Sequence, residues 1–500
     1  MLRLGRGARS LAIVGCALAA FVCGVSGAQA AVNVTSFTAT PSTTLAGGHP
    51  NFTTSASFSY SNGTDDLRSV NVDLPPGLLG NPRAVPHCTV AQLNSDSCPA
   101  GSRVGTTSVT AKIDLPLVPP VTSSGDVYVV DPLGNEPARI GMVVRPVGGL
   151  LGKFAMSGAA RVHVPGDFGL SVRFDDLPRT LPPLAGVVRV PVTIQGLRLT
   201  LNGLVSGGAA AFMTNPTSCQ AATTRFQATS YESGTPSGRS SSFTPTDCAG
   251  VPFKPALAFA LYTQRANTPA PLLAAVTLPS QEIPRRQGHI RQSAVVLPRG
   301  MSINPQALVG LTPCTDAQLN TDSAAPETCP ASSKVGAAVM VTPLLGTVVG
   351  SVYFGQGTAT APLRIFITAK VTQTQTAKLI GVNQLGADGS IVTTLSNLPQ
   401  TPLDAFVLGF FGGPTGLLAS PGCGTHTGGG LFASWSGAAA GSLANVSITQ
   451  TATGAPCPPG AAARTVESQS PVLDGLSHSK STAEALARAK RLMPRSRLER

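Results

Sequence analysis

The sequence predicts an all-β protein: two tandem copies of a β-sandwich-like module, each with a short disulfide-pinned helical turn. Three observations point there. Gly 54 and Pro 43 are dense among the 500 residues, while charged residues make 12% and hydrophobic ones 42%. That balance excludes a long helical chain and a disordered one. Apolar residues alternate with polar ones in short runs, the signature of half-buried strands. One long segment occurs twice, in the same order of motifs.

Residues 1–30 read as a secretory signal peptide. Arg3, Arg6 and Arg9 precede an apolar stretch from Leu11 to Val25, and Ala28-Gln29-Ala30 is a small-residue cleavage site. That stretch is too short for a membrane helix, and no later run reaches the length of a span. The expectation is an exported chain, extracellular or on the cell surface, with no transmembrane span after cleavage.

The first module is assigned to 31–255. Val70, Val72 and Leu74 alternate and stop at Pro76-Gly77, where Pro fits the first central position of a turn and Gly the second. Gly125 to Val130, Val162 to Val164 and Leu170 to Phe174 are further strand candidates. Val188 to Ile194 and Leu197 to Leu201 alternate on either side of Gly196, giving two strands or one strand with a bulge. Gly and Pro recur about every 8–12 residues, the spacing of a sandwich or barrel. Thr89 can N-cap a helical turn over Ala-Gln-Leu.

The second module, 256–460, repeats these motifs. Val72-Asp73-Leu74-Pro75-Pro76-Gly77 is answered by Val295-Val296-Leu297-Pro298-Arg299-Gly300. Asn81-Pro82, Cys88-Thr89, Ala91-Gln92-Leu93-Asn94 and Cys98-Pro99-Ala100 return as Asn304-Pro305, Cys314-Thr315, Ala317-Gln318-Leu319-Asn320 and Cys329-Pro330-Ala331. Asp176-Leu177-Pro178-Arg179-Thr180 returns as Asn397-Leu398-Pro399-Gln400-Thr401. Leu363 to Val371 reads as a strand, and Thr315 as the second N-cap.

Beyond the signal peptide the chain holds eight cysteines: Cys88, Cys98, Cys219, Cys248, Cys314, Cys329, Cys423 and Cys457. In an oxidising compartment an even set reads as a disulfide framework. Four fall in each copy in the same order. Pairing within a copy then gives Cys88–Cys98, Cys219–Cys248, Cys314–Cys329 and Cys423–Cys457. Metal binding competes poorly, because Cys-x₂-Cys spacing with flanking His is missing.

Residues 461–500 form a basic tail. Their net charge is +4, against +3 for residues 1–30 and +12 for the whole chain. Thr482 to Met493 is weakly amphipathic but too short for a stable isolated helix, so a mobile tail is expected. The body between the ends is nearly neutral. It has no basic run interleaved with aromatics, so no nucleic-acid role is expected.

No catalytic constellation emerges, and no cofactor is expected. His49, His87, His163, His289, His426 and His478 form no metal spacing, and none recurs at a matched place. No Gly-x-Ser-x-Gly elbow occurs in the mature chain. Asp65-Asp66 and Asp175-Asp176 are adjacent pairs that would point to opposite faces of a strand. Asn94, Asp96 and Ser97, with Asn320, Asp322 and Ser323, admit a calcium site, but a self-bonded turn is preferred. Leu177 to Thr180 and Leu398 to Thr401 resemble truncated sortase signals and read as turns between strands.

The Leu-Pro-Pro-Gly-Leu, Asn-Pro, Cys-Thr-x-Ala-Gln and Cys-Pro-Ala-x-Ser-x-Val-Gly motifs carry a resemblance over roughly residues 40–460. The chain resembles uncharacterised exported repeat proteins of high-GC Gram-positive bacteria, the actinobacteria. That group has no assigned activity, so the resemblance transfers no site. The expectation is a non-enzymatic protein, structural or adhesive at the cell envelope, with cell-wall polymers or other surface proteins as partners. The alternative is a carbohydrate-binding or carbohydrate-active sandwich, which would want aromatic platforms or facing carboxylates. Only Trp435 and five Tyr are available, and Trp435 has no evident counterpart in the first copy.

Overall fold

The computed structural model describes residues 32–61, 65–114, 117–181, 189–280, 283–460 and 482–499. The expected signal peptide and the first part of the tail lie outside the described residues. The first module folds into β1 (Val32–Pro41), β2 (Phe52–Tyr60), β3 (Leu67–Asp73), β4 (Arg103–Ile113), β5 (Val121–Val130), β6 (Ala138–Arg145), β7 (Phe154–Val162), β8 (Leu170–Phe174), β9 (Val192–Leu201), β10 (Ala222–Ser230) and β11 (Ser237–Phe243). The second gives β12 (Ala256–Leu261), β13 (Leu272–Thr277), β14 (Ile290–Val296), β15 (Lys334–Thr342), β16 (Gly346–Gly355), β17 (Leu363–Lys370), β18 (Thr376–Leu385), β19 (Ile391–Leu395), β20 (Ala405–Phe410), β21 (Gly424–Ser434) and β22 (Ala439–Ile448).

Hydrogen-bonded order in the first sheet is β1-β2-β9-β4-β5-β6-β7-β8-β3-β10-β11. In the second it is β12-β13-β20-β15-β16-β17-β18-β19-β14-β21-β22, the same order strand for strand. The fold is all-β, and the duplication extends to topology. Each eleven-stranded sheet curls until its first and last strands touch. The β1 and β11 edges are joined through side chains: Val34 N–H donates to Ser237 Oγ at 3.0 Å, and Arg239 Nε to Val34 O at 2.8 Å. In the second module Leu257 N–H donates to Ser442 Oγ at 3.0 Å.

Alternation places the core inside each curl. Phe37, Phe58 and Phe226 meet there in the first module, the Phe37 and Phe226 rings 5.0 Å apart. Aliphatic residues around Leu257, Ile365 and Phe432 fill the second. The segment around Gly196 is a single strand, β9, whose register against β4 shifts between Ile194 and Gly196. The bulge alternative is therefore the one observed. Gly77 and Gly300 carry φ of +84° and +78°, and each closes a turn in which the residue after it bonds back to Pro75 or Pro298. A Cβ on Gly105 or Gly336 would lie 2.1 or 2.2 Å from a carbonyl oxygen of the neighbouring strand, so only glycine fits either bulge.

Four disulfides join Cys88–Cys98, Cys219–Cys248, Cys314–Cys329 and Cys423–Cys457, each within one copy. Helix α1 (Val90–Ser95) and helix α2 (Asp316–Leu319) start directly after Cys88-Thr89 and Cys314-Thr315. Both begin with a full capping box, in which Thr accepts from the N3 amide and the N3 Gln accepts from the Thr amide. Leu93 and Leu319 turn inward against the disulfide.

The two modules share a seam. Leu79, Val162, Val164 and Leu170 of the first pack with Val348, Ala369 and Ala377 of the second. Arg286 N–H donates to Gly47 O at 2.9 Å, and Arg285 pairs with Asp247 at 2.7 Å.

The expectation of a free tail is corrected over 482–499. Helix α3 (Thr482–Leu492) and the turn after it lie on β12, β13 and β20, burying Ala485 and Ala489 of the helix and Met493 and Leu498 beyond it. An amphipathic helix too short to stand alone is stabilised by a sheet face that receives its apolar side.

Candidate functional site

The expected site residues scatter. His87 bridges Asp131 and Pro82 O, His163 meets Asp167 and Asp73, and His426 Nε2 contacts Gly422 O. His49 Nδ1 contacts Met213 O. His478 lies outside the described residues. None of the five described His stands beside a cysteine thiol, since all eight candidate cysteines are bonded. Asp176 and Asn397 both sit in the left-handed region, at φ 52° and 53°, and start the matched Leu-Pro turns. Leu177 N–H and Leu398 N–H then bond to Arg68 O and Arg291 O, each at 2.9 Å.

The Asn-x-Asp-Ser segments are helix ends. Asp96 is the left-handed C-cap of α1, and Asn320 that of the shorter α2. Lysines occupy the carbonyl oxygens a cation would use: Lys153 Nζ donates to Ser95 O at 2.6 Å, and Lys378 Nζ to Asn320 O and Ser323 O at 2.7 and 2.8 Å. Neither lysine was singled out by sequence, although both lie 58 residues after the carbonyl they cap. Among the described residues no group of three or more His, Cys, Asp and Glu is placed to hold a metal ion.

Trp435 does have a counterpart, which corrects the sequence reading. It follows β21 and donates Nε1–H to Leu398 O at 3.0 Å. Tyr231 follows β10 and donates its hydroxyl to Leu177 O at 2.9 Å. Each aromatic locks the same turn, so Trp435 is a structural brace rather than a platform. The match was hidden because Tyr and Trp share a donor and a shape but no identity.

The open site is a groove on the outer face of the first sheet. Antiparallel partners share a face, so the registers can be followed across strands. One row runs Thr40–Thr53–Thr200–Thr106–Asp126. The next runs Thr38–Ser55–Arg198–Ser108–Ser124–Arg145. From β9 onward the members of both rows, with Arg103 and the loop at Val147, border a polar depression of about 570 Å³, and Thr53 and Ser55 of β2 continue the same face beyond it. Hydroxyls of Thr53 and Thr200 are 3.0 Å apart.

Electrostatics organise one end of this groove. Asp126 receives Arg103 at 2.7 Å and Arg145 at 2.8 Å. Arg145 also grips Asp96 through Nε and Nη2, at 2.9 and 2.5 Å, which ties the disulfide-pinned turn to the groove wall. These hydrogen bonds hold the Asp96 carboxyl below the usual carboxylate range and push the Arg145 guanidinium up, chiefly through Asp96. Arg198 is exposed mid-groove and has no ion pair or side-chain hydrogen bond among the described residues. Val147 closes the rim at φ 49°, a strained state for a β-branched residue that recurs where function needs it.

The same face of the second module is apolar. By register, Thr53, Ser55, Arg198, Thr200, Thr106 and Ser108 correspond to Leu273, Ala275, Val407, Gly409, Ala337 and Val339. Helix α3 covers this surface, and Met493 approaches so closely that a Cβ on Gly409 would lie 2.0 Å from its Sδ. No helix among the described residues is long and apolar enough to cross a membrane.

No family model matches the chain, and no curated protein matches it. Among solved structures, one named BspA_C_WT gives a TM-score of 0.19 at 7% identity, covering 82% of this chain and 99% of that one. The type II cohesin dyad from the adaptor ScaA scaffoldin of Acetivibrio cellulolyticus gives 0.15 at 8% identity, covering 81% and 94%. Likenesses at these scores carry no information on function.

Proposed function

We propose that the chain is a non-enzymatic exported protein, structural or adhesive at the cell envelope, that binds through the outer face of its first module. One observation carries this reading: a sheet face present in both copies is sealed by α3 in the second and left open, polar and cationic in the first. Two copies of one module diverge this way when one face is assigned to self-packing and the other to a partner. The four disulfides fit an oxidising, extracellular compartment. The motif resemblance to exported actinobacterial repeat proteins is part of this proposal.

Retention on washed cell envelopes tests the proposal. Arg198→Glu should release the mature protein into the soluble fraction while leaving its melting temperature unchanged. Equal retention of the variant and the wild type would rule the face out. The rows of hydroxyls favour a sugar partner over a protein one, which keeps the carbohydrate-binding reading in play. The carbohydrate-active form of that reading lacks support, since among the described residues lining the groove one carboxylate occurs, Asp126, and it is held by two arginines.

A further inference from the structure

We propose that the first-module groove binds a carboxylated polysaccharide, with Arg198 pairing a sugar carboxylate and the flanking Ser/Thr rows bonding the hydroxyls. This rests on the reading that the open face is the binding face. Charge narrows the partner first. Arg103 and Arg145 are balanced locally by Asp126 and Asp96, so among the described residues lining the groove the uncompensated charge is Arg198. A nucleic acid or polyphosphate carries an anion on every unit and is held by dense arginine and lysine. A single free guanidinium amid hydroxyls fits a chain that is mostly hydroxylated and sparsely anionic.

Carboxylate suits that guanidinium, because its planar fork bonds both oxygens at once. A neutral glycan would leave it unanswered and is commonly gripped by stacking on aromatic rings. Among the described residues the groove lining has no aromatic side chain. Spacing gives a further fit. Adjacent strands lie about 4.8 Å apart, so each row offers one polar group per strand at that interval. A sugar in an extended glycan advances by a similar distance, so a chain laid across β9, β4 and β5 meets one such group per unit. Because the groups stand on paired strands rather than on a loop, little ordering opposes binding.

The probe is polygalacturonate, measured by calorimetry on the mature protein, with fully methyl-esterified polygalacturonate and dextran as controls. Polygalacturonate should bind, and the ester and dextran should not. Arg198→Ala should weaken binding roughly tenfold or more, as expected for losing a charged hydrogen bond. Ser108→Val should weaken it by a smaller factor, with both variants melting as the wild type does. Three results would overturn the inference: no binding of polygalacturonate, equal binding of the ester, or full affinity in Arg198→Ala. Failure here combined with Arg198-dependent envelope retention would sink the ligand class and spare the binding face. Arg198-independent retention would sink the face itself.

Discussion

His289 sets a strong pH dependence of stability on the acid side of neutrality. The residue sits just before β14, in the seam, 1% exposed. Its backbone N–H donates to Thr217 Oγ1 of the first module at 3.2 Å, and its carbonyl accepts from Trp435. Neither ring nitrogen has a partner. Burial, aided by the charge of nearby Arg286, pushes the imidazole down from 6.5 to about 3. Asp404 neutralises Arg286 at 2.6 Å without reaching the ring. The unfolded chain therefore binds one proton more than the folded one between those values. Stability from this site is complete above 6.5 and falls as pH drops toward 3, by about 1.4 kcal/mol per unit. At pH 5 the loss is about 2 kcal/mol. Urea unfolding of the wild type and His289→Leu at pH 7, 6 and 5 isolates this site, because every other group titrates in both. The stability difference should shift in favour of the variant by that amount between pH 7 and 5. Parallel pH profiles would refute the buried neutral imidazole.

Removing Cys423–Cys457 by paired serine substitution should cost about 3.8 kcal/mol and removing Cys88–Cys98 about 2.7, from loop separations of 34 and 10 residues; chemical denaturation checks the order. Gly409→Thr installs the first copy's residue beneath Met493, so it should lift α3 and make the Arg488–Arg497 stretch cleavable by trypsin within minutes. Met493→Ala, at a side chain with no exposure, should destabilise that helix by about 2–5 kcal/mol, read as amide exchange across 482–499. Thr89→Ala and Thr315→Ala each remove a capping box and should each cost about 1 kcal/mol in thermal unfolding.

Strands and turns were legible because their physics is local. Alternation at Val70 and Val72, the Pro-Gly turn at Gly77 and the Thr89 cap needed only neighbours in sequence. Duplication made the disulfide pairs readable too, since four cysteines per copy recur in one order. Neither the docking of α3 nor the groove had a local signal. Thr53, Thr106 and Thr200 are polar positions on three separate strands, and only the register shows them in one row. Tyr231 and Trp435 match by the carbonyl they hold, and Lys153 and Lys378 by the helix end they cap. Such equivalences become visible once the two copies are compared in space.

That comparison also explains the seam. Asp66 and His289 occupy one position, since each offers its carbonyl to the aromatic brace that follows β10 or β21. Arg179 and Gln400 occupy another, in the matched Leu-Pro turns. In the first copy this corner is at the surface, and Asp66 pairs with Arg179 at 3.0 Å. In the second it is pressed against the first module, with Gln400 6% exposed and 3.2 Å from Ser218 Oγ. A buried ion pair would carry the desolvation of two charges, so the neutral His289 and Gln400 replace it. The outer sheet face follows the same rule, with the second copy again the buried and less polar one. Where α3 lies, hydroxyls and Arg198 give way to Leu273, Val407 and Gly409. Where no described residue of this chain lies, they are kept. Burial by the chain itself thus accounts for the polarity of the second copy at these positions. The polarity retained on the first copy's face is what remains for a partner to answer.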